Sequence, residues 1–180
     1  MTSQRLTYRP VSPALLDEFH RLVQDEHVRR FLMDGTLFPR EWSVARAQDS
    51  ECLFERRGVG IWLTFERQTG CLVGFCGFLE LPSAQTEPQL VYALFERFTG
   101  AGYATEMAAA AVEHARRQPA FERIIASVDE ENVASKRVLE KLGFRPVAVE
   151  QGSLGDIVVF AFDAADAVAK REGPAGGGSR

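Results

Sequence analysis

Cysteine is scarce in this sequence, and the few cysteines form no recognisable pattern. Cys52, Cys71 and Cys76 make an odd-numbered set without a C-x-x-C pair and without a neighbouring histidine cluster. Such a set predicts neither a disulfide framework nor a zinc site. We therefore expect three buried, reduced thiols and no metal cofactor.

Long apolar runs and a dominant sign of charge are missing as well. Residues 1–10 lack the apolar stretch of a signal peptide, and nowhere does the sequence approach the run of about 20 apolar residues that spans a bilayer. The formal net charge is −4, and the 25 acidic and 21 basic residues are mixed along the chain. We expect a cytoplasmic protein that binds neither membranes nor nucleic acids.

The length and composition fit one compact domain. The chain has 180 residues, of which 46% are hydrophobic, which is enough for one core and too little for two full domains. We expect this domain over residues 1–168. Residues 169–180 contain a Gly-Gly-Gly-Ser run and cannot bury apolar surface, so they predict a flexible Gly-rich tail.

Hydrophobic periodicity predicts helices and strands that are intermixed along the chain, and hence an α/β or α+β fold. Alternating or continuous apolar residues predict strands at 5–11, in a hairpin over 59–81, and at 89–95, 123–128, 144–149 and 157–162. Apolar steps of three and four predict helices over 14–31 with a break near Glu26, over 42–57 with Ser43 as its cap, over 103–117, and over 132–142.

The loop that follows the predicted strand at 89–95 has two glycines and opens into a helix. Its sequence from residue 97 to residue 106 is RFTGAGYATE. Free amides at the start of a helix, together with the positive end of its dipole, favour an anion such as a pyrophosphate. Gly100 and Gly102 allow the backbone to approach that anion closely, although a tight turn explains them equally well. The loop lacks the Lys-Ser/Thr ending of an ATP-binding P-loop and the third glycine of a dinucleotide-binding fingerprint.

Two blocks of the sequence resemble the GCN5-related N-acetyltransferases, the GNAT family. The first is R-x-x-G-x-G followed by YATE at 97–106, and the second is N-x-x-S-x-x-VLEKLGF at 132–144. R-L-x-x-R-P at 5–10 and the segment 25–31 are also similar to the branch of this family that acetylates protein N-termini, including those of ribosomal proteins. The resemblance covers nearly the whole chain, to about residue 164.

The resemblance implies a fold and an activity. The fold would be a mixed, strongly twisted, mostly antiparallel sheet of about six to seven strands, flanked by helices and split into a V between its central strands. The protein would be an acyltransferase that moves an acetyl group from acetyl-CoA directly to a primary amine. The acceptor would be a peptide or protein N-terminus or a small amine, and the enzyme would be a monomer or a homodimer.

Carried over by position, the resemblance also implies the residues that bind coenzyme A. The backbone amides that would bind the pyrophosphate belong to Phe98, Thr99, Gly100, Ala101, Gly102 and Tyr103. The backbone of Tyr92, Ala93 and Leu94 would pair with the pantetheine arm as another strand does. Asn132 would hydrogen-bond near the pantetheine, would cap the following helix, or would do both.

Ser135 is the candidate general acid. Asn132, Ser135 and Leu139 lie at positions i, i+3 and i+7 and therefore share one helix face. If that face looks at the thioester, Ser135 protonates the leaving thiolate directly or through water. The alternative is a small residue that lets the helix approach the sheet. Many relatives carry a tyrosine, their general acid, at the position of Leu139.

A general base has no obvious position in the sequence. Members of this branch often carry a glutamate at the position of Gln89, and glutamine cannot accept a proton. Glu87, two residues earlier and on the same side of an extended chain, is either the base or an ordinary exposed loop carboxylate. Water in the cleft, or an acceptor with a pKa of about 8 such as an α-amino group, would make a base dispensable.

Two other functions would use the same residues. Gln89 and Leu139 replace the usual ionisable groups, which makes a catalytically idle acyl-CoA-binding module the alternative to an enzyme. A nucleotide-phosphate binder would use the same glycine loop, but the lysine and the acidic metal ligands of such proteins are missing.

Overall fold

The computed structural model describes residues 1–80, 88–118, 121 and 123–163. Glu87 and the predicted Gly-rich tail lie outside the described residues. The predicted division into a domain over residues 1–168 and a tail over 169–180 therefore stays a prediction. Within the described ranges, the chain forms seven strands and five α-helices.

The strands and helices follow one another in the order that the periodicity predicts. The strands are β1 (Leu6–Pro10), β2 (Ile61–Glu66), β3 (Leu72–Leu79), β4 (Gln89–Leu94), β5 (Arg123–Asp129), β6 (Arg145–Gln151) and β7 (Asp156–Asp163). The helices are α1 (Leu16–Gln24), α2 (Glu26–Leu32), α3 (Arg40–Arg57), α4 (Tyr103–Ala115) and α5 (Val133–Lys141).

The seven strands form one mixed sheet in the order β1-β2-β3-β4-β5-β7-β6. Every neighbouring pair is antiparallel except β4 and β5, which are parallel and are joined at one register position, Gln89 opposite Ile125. Beyond that position the two central strands separate. The predicted fold, a mostly antiparallel sheet that is split between its central strands and flanked by helices, is confirmed.

The two faces of β4 contribute to two different cores because successive side chains of a strand point to opposite faces. Leu90, Tyr92 and Leu94 belong to the core that includes α4. Val91 and Ala93 belong to the core that includes α1. Four phenylalanines of the sheet and of the loop after β4 are buried in these cores, namely Phe65, Phe75, Phe78 and Phe95.

The predicted break in the first helical segment is real, whereas the predicted cap of the next helix is wrong. The carboxylate of Asp25 accepts hydrogen bonds from the amides of His27 and Val28, so it ends α1 and caps α2. Helix α3 already begins at residue 40, after the extended Pro39. Ser43 therefore lies inside α3, where it is buried and its Oγ lies 2.9 Å from Nδ1 of His20 on α1.

The prediction of three buried thiols is wrong for two of them. Only Cys76, in the middle of β3, is buried, and burial raises the pKa of its thiol. Cys71 is exposed because it follows the turn between β2 and β3, and Cys52 is exposed on α3. In the described part of the chain, no three His, Cys, Asp or Glu side chains are arranged to hold a metal ion. None of the described helices has the length and hydrophobicity needed to cross a bilayer.

Candidate active site

The loop between β4 and α4 has the conformation that the two glycines predict. Gly100 and Gly102 have φ angles of +73° and +80°. Residues with a Cβ atom are strained in this left-handed region, so both positions favour glycine. Apart from its chain neighbours, no atom of the described residues would lie within 4 Å of a Cβ atom placed on Gly100, so these residues leave the outer surface of the loop open.

Several backbone amides of this loop are available to a ligand. Within the described residues, no acceptor is hydrogen-bonded to the amides of Gly100, Ala101 or Gly102. The amides of Phe98 and Thr99 instead donate to backbone carbonyls of a short 3-10 turn, at 3.0 and 2.9 Å. We therefore keep the loop from Gly100 onward, with the first amides of α4, as the candidate anion site.

The strand edge next to this loop is also open. Beyond Gln89, the edge of β4 that faces β5 has no strand partner among the described residues. The backbone of Tyr92, Ala93 and Leu94 belongs to this edge. An extended ligand that carries amide groups could therefore hydrogen-bond to it as an additional strand does.

A pair of hydroxyl groups crosses the gap between β4 and α5. The phenol oxygen of Tyr92 lies 2.7 Å from Oγ of Ser135 and 3.2 Å from the backbone carbonyl oxygen of Ser135. Burial raises the pKa of Tyr92 to about 12, although the hydrogen bond with Ser135 acts in the opposite direction. The phenol therefore stays protonated at neutral pH and can donate a hydrogen bond. The two residues are 43 positions apart in the chain, so no local pattern predicts this contact.

The other two residues of the predicted helix face have structural roles. The side chain of Asn132 accepts a hydrogen bond from the amide of Ser135 at 3.0 Å, so it caps α5 as one of its two predicted roles requires. Leu139 is fully buried in the core that contains α4. The position where relatives carry a tyrosine therefore faces the core in this protein.

Gln89 is fixed at the point where β4 and β5 meet. Its side chain is 4% exposed, and its Oε1 accepts a hydrogen bond from Oγ of Ser127 on β5 at 2.9 Å. Gln89 has the same strand parity as Val91 and Ala93, so it lies on the sheet face opposite to Tyr92. The second predicted catalytic residue, Glu87, lies outside the described residues.

Carboxylates gather where β5 ends. The pKa of Asp129 is raised by partial burial and by the negative charges of Asp34 and Glu131. Asp34 has a left-handed φ angle of 50° and accepts a hydrogen bond from Oγ of Ser153 at 2.6 Å. The turn between β6 and β7 therefore touches the loop between α2 and α3 on this side. The resulting negative field favours cationic groups such as protonated amines.

Sequence reasoning missed an ion pair at the other end of the site. Nε of Arg5 lies 2.7 Å from Oε2 of Glu106 on the first turn of α4, and Nη1 of Arg5 donates to the carbonyl oxygen of Ala101 at 2.9 Å. Partial burial acts to raise the pKa of Glu106, but hydrogen bonds from Ser3 and Arg5 outweigh it and hold the pKa below its ordinary value. No local pattern indicates this pair, because its members are 101 residues apart.

Comparison with known proteins identifies the family. A family model described as "Acetyltransferase (GNAT) domain" matches residues 5–145. The uncharacterized protein YkkB of Bacillus subtilis strain 168 is 34% identical over 87 residues, and the match spans about half of each chain, 48% of this one and 51% of YkkB.

Solved structures share the fold. A putative GNAT-family acetyltransferase from Bordetella pertussis superimposes with a TM-score of 0.78 at 20% identity, covering 89% of this chain and 97% of the other. RimL, a ribosomal L7/L12 alpha-N-protein acetyltransferase in complex with coenzyme A, superimposes with a TM-score of 0.75 at 19% identity, covering 89% and 95%. The fold is that of the GNAT acetyltransferases. The chain belongs to the GNAT acetyltransferase family.

Proposed function

We propose that the protein transfers the acetyl group of acetyl-CoA to a primary amine, either a peptide or protein N-terminus or a small amine. The observation that carries this proposal is the open set of amides at Gly100, Ala101 and Gly102, together with the open edge of β4. The amides suit a pyrophosphate, and the open strand edge suits an extended arm that carries amide groups.

The free amides of Gly100, Ala101 and Gly102 support a coenzyme A site, because a bound pyrophosphate would not have to displace an acceptor of the described residues from them. The amides from Gly100 to Tyr103 would hold the pyrophosphate, and the β4 backbone from Tyr92 to Leu94 would hold the pantetheine arm. Bound acetyl-CoA would supply an activated acetyl thioester. The space around Gly100 supports this assignment, because no side chain of the described residues would obstruct an anion at that position.

Ser135 would act on the leaving sulfur with the help of Tyr92. The single phenolic hydrogen of Tyr92 can point to Oγ of Ser135 or to its carbonyl oxygen, but not to both. When Tyr92 donates to Oγ, the hydroxyl hydrogen of Ser135 is free to donate a hydrogen bond into the cleft. A hydroxyl that accepts a hydrogen bond becomes a stronger hydrogen-bond donor itself, because hydrogen bonds in a chain polarise one another.

The opposite face of the sheet would receive the amine. Gln89 and Ser127 lie on this face, and Asp129 follows Ser127 by two positions, so it points to the same side of β5. A raised pKa brings a carboxylate closer to the range that suits a general base. Asp129 therefore joins Glu87 as a candidate base.

A relative and the pKa values of amines point to the class of acceptor. The RimL structure is named for action on the α-amino group of a ribosomal protein. An α-amino group has a pKa of about 8, compared with about 10.4 for lysine, so more of it is neutral at physiological pH. A site in which Gln89 stands where a base is expected suits the α-amino group better. We therefore propose peptide N-termini as the first acceptors to test.

The test is a thiol-release assay with acetyl-CoA across N-terminal peptides, amino acids, polyamines and aminoglycosides. We expect release above the background hydrolysis rate with at least one amine, and loss of that release in Gly100→Glu. Binding of acetyl-CoA without thiol release in the presence of any of these amines would instead support the acyl-CoA-binding module. The absence of acetyl-CoA binding would contradict both functions.

A further inference from the structure

We propose that Arg5 is a positioning residue for the coenzyme A loop, in that it orients the peptide between Ala101 and Gly102 and neutralises Glu106 beside the anion site. The proposal rests on the proposed function only in taking this loop as the site of the pyrophosphate. Arg5 lies immediately before β1, far from the loop in sequence and outside the glycine motif.

The first task of Arg5 is geometric. Its Nη1 donates to the carbonyl oxygen of Ala101 at 2.9 Å. In a planar trans peptide, the carbonyl oxygen and the following N–H point in opposite directions. A carbonyl of Ala101 that is held by Arg5 therefore directs the amide of Gly102 away from Arg5. That amide has no acceptor among the described residues, so it stays available to a ligand.

The second task of Arg5 is electrostatic. Glu106 lies in the first turn of α4, where a negative charge interacts favourably with the helix dipole but would repel a phosphate bound at the same end. Its carboxylate accepts hydrogen bonds from Oγ of Ser3 at 2.6 Å and from the backbone amide of Arg5 at 2.7 Å, in addition to the guanidinium. The ion pair removes the net negative charge that the anion would otherwise meet.

The guanidinium is itself held in place. Its Cζ lies 4.1 Å from the centroid of the Tyr103 ring, and the hydroxyl of Tyr103 donates to the carboxylate of Glu66. Nη2 of Arg5 points toward Gly102 and would lie 3.6 Å from a Cβ atom placed there. No acceptor among the described residues is hydrogen-bonded to this Nη2. Arg5 can therefore also offer a donor toward the loop surface. A lysine could supply the charge but not the planar set of donors.

The experiment measures coenzyme A binding by isothermal titration calorimetry, together with the melting temperature of each variant. The variants are Arg5→Ala, Arg5→Lys and Arg5→Ala/Glu106→Gln. The control is Arg56→Ala, which removes an arginine that forms a similar ion pair with Glu80, at 2.8 Å, near the end of β3 that is remote from the loop.

We expect Arg5→Ala to weaken coenzyme A binding by about 10-fold or more, since a misdirected amide and an unpaired carboxylate act together. Arg5→Lys should lose less. The double variant should recover about half of the lost binding free energy of Arg5→Ala, because Glu106→Gln removes the repulsive charge while the loop stays unsupported. Arg56→Ala should bind coenzyme A as the unmodified protein does.

Two results would overturn the proposal while the unmodified protein binds coenzyme A. One is a folded Arg5→Ala whose dissociation constant stays within about twofold of the unmodified value. The other is a loss of coenzyme A binding in Arg5→Ala that the added Glu106→Gln change does not reduce and that parallels the fall in melting temperature across all variants. Arg5 would then only stabilise the fold. If the unmodified protein fails to bind coenzyme A, the proposed function and this inference both fail. Normal binding without acetyl transfer contradicts only the proposed function.

Discussion

The hydroxyl of Tyr92 on β4 lies 2.7 Å from Oγ of Ser135 on α5, so one hydrogen bond joins the two walls of the cleft. The resemblance to the family places a tyrosine hydroxyl at the position of Leu139. In this protein Leu139 is buried in the core, and the phenol beside Ser135 comes from the facing strand instead. The first prediction tests whether the two hydroxyls act as a unit.

Ser135→Ala should lower the turnover number by about 10- to 1,000-fold and change the dissociation constant of acetyl-CoA by only a few-fold, as expected for a group that acts mainly in the transition state. Tyr92→Phe removes one oxygen atom from the same pair and should lower turnover in the same direction. The double variant should be no slower than the slower single variant. Steady-state kinetics with the best amine of the panel supply the turnover numbers, and calorimetry supplies the dissociation constants.

An additive loss in the double variant would contradict the coupled pair. A parallel loss of acetyl-CoA binding and turnover in Ser135→Ala would show that the serine positions the ligand and is not an acid.

Gly100→Glu should abolish acetyl-CoA binding. The new side chain occupies the space of the phosphate, and its carboxylate repels the anion. Gly35→Glu is a matched control, since Gly35 has a φ angle of +72° and a Cβ atom placed on it would also have no atom of the described residues within 4 Å, apart from its chain neighbours. The control carries similar backbone strain outside the loop and should keep its affinity for acetyl-CoA in a titration. If folded Gly100→Glu and Gly35→Glu bind acetyl-CoA with equal affinity, the loop is not part of the binding site.

Gln89→Glu should raise activity toward lysine side chains more than activity toward α-amino groups. Because position 89 is buried, the pKa of a carboxylate there would be raised and would suit a general base. The neutral fractions of the two amines differ by about two orders of magnitude at neutral pH, so a new base has more to contribute for lysine. The comparison uses kcat/KM for matched lysine and N-terminal peptides.

Glu87→Gln and Asp129→Asn identify the base that the unmodified protein uses. Suppose that Gln89→Glu leaves the ratio of the lysine and α-amino activities unchanged, while Glu87→Gln or Asp129→Asn loses both activities. The carboxylate removed in that inactive variant is then the working base. The assignment of position 89 as the vacant one would then be wrong.

The carboxylate of Glu106 should make stability depend on pH in the acidic range. Its pKa is held below its ordinary value of 4.5, so the unfolded chain takes up its proton first as the pH falls. The stabilisation is complete above pH 4.5 and is lost as the pH falls through the lower pKa of the folded state. Chemical unfolding between about pH 6 and pH 3 should show a smaller decline in the free energy of unfolding for Glu106→Gln. If the free energy of unfolding falls with pH by the same amount in Glu106→Gln as in the unmodified protein, Glu106 does not have a lowered pKa in the folded state.

The local parts of this protein follow from the sequence itself. The strands, the helices and the loop from residue 97 to residue 106 were predictable because side-chain periodicity, glycine conformation and helix dipoles depend on near neighbours. The same logic gives helix capping as one of the two roles open to Asn132, and the hydrogen bond to Ser135 confirms that role. The predicted cap at Ser43 failed because α3 starts earlier and packs that hydroxyl against α1.

The contacts that shape the site depend on the tertiary structure alone. Tyr92 and Ser135 are 43 residues apart, and Arg5 and Glu106 are 101 residues apart. Each pair forms because the strand order brings β4 beside β5, or the start of β1 beside the first turn of α4, and no local pattern encodes that order. The sequence determines which groups are available for chemistry, whereas the packing of the sheet and helices determines which of them meet, because side chains distant in the chain interact only once the fold brings them within hydrogen-bonding distance.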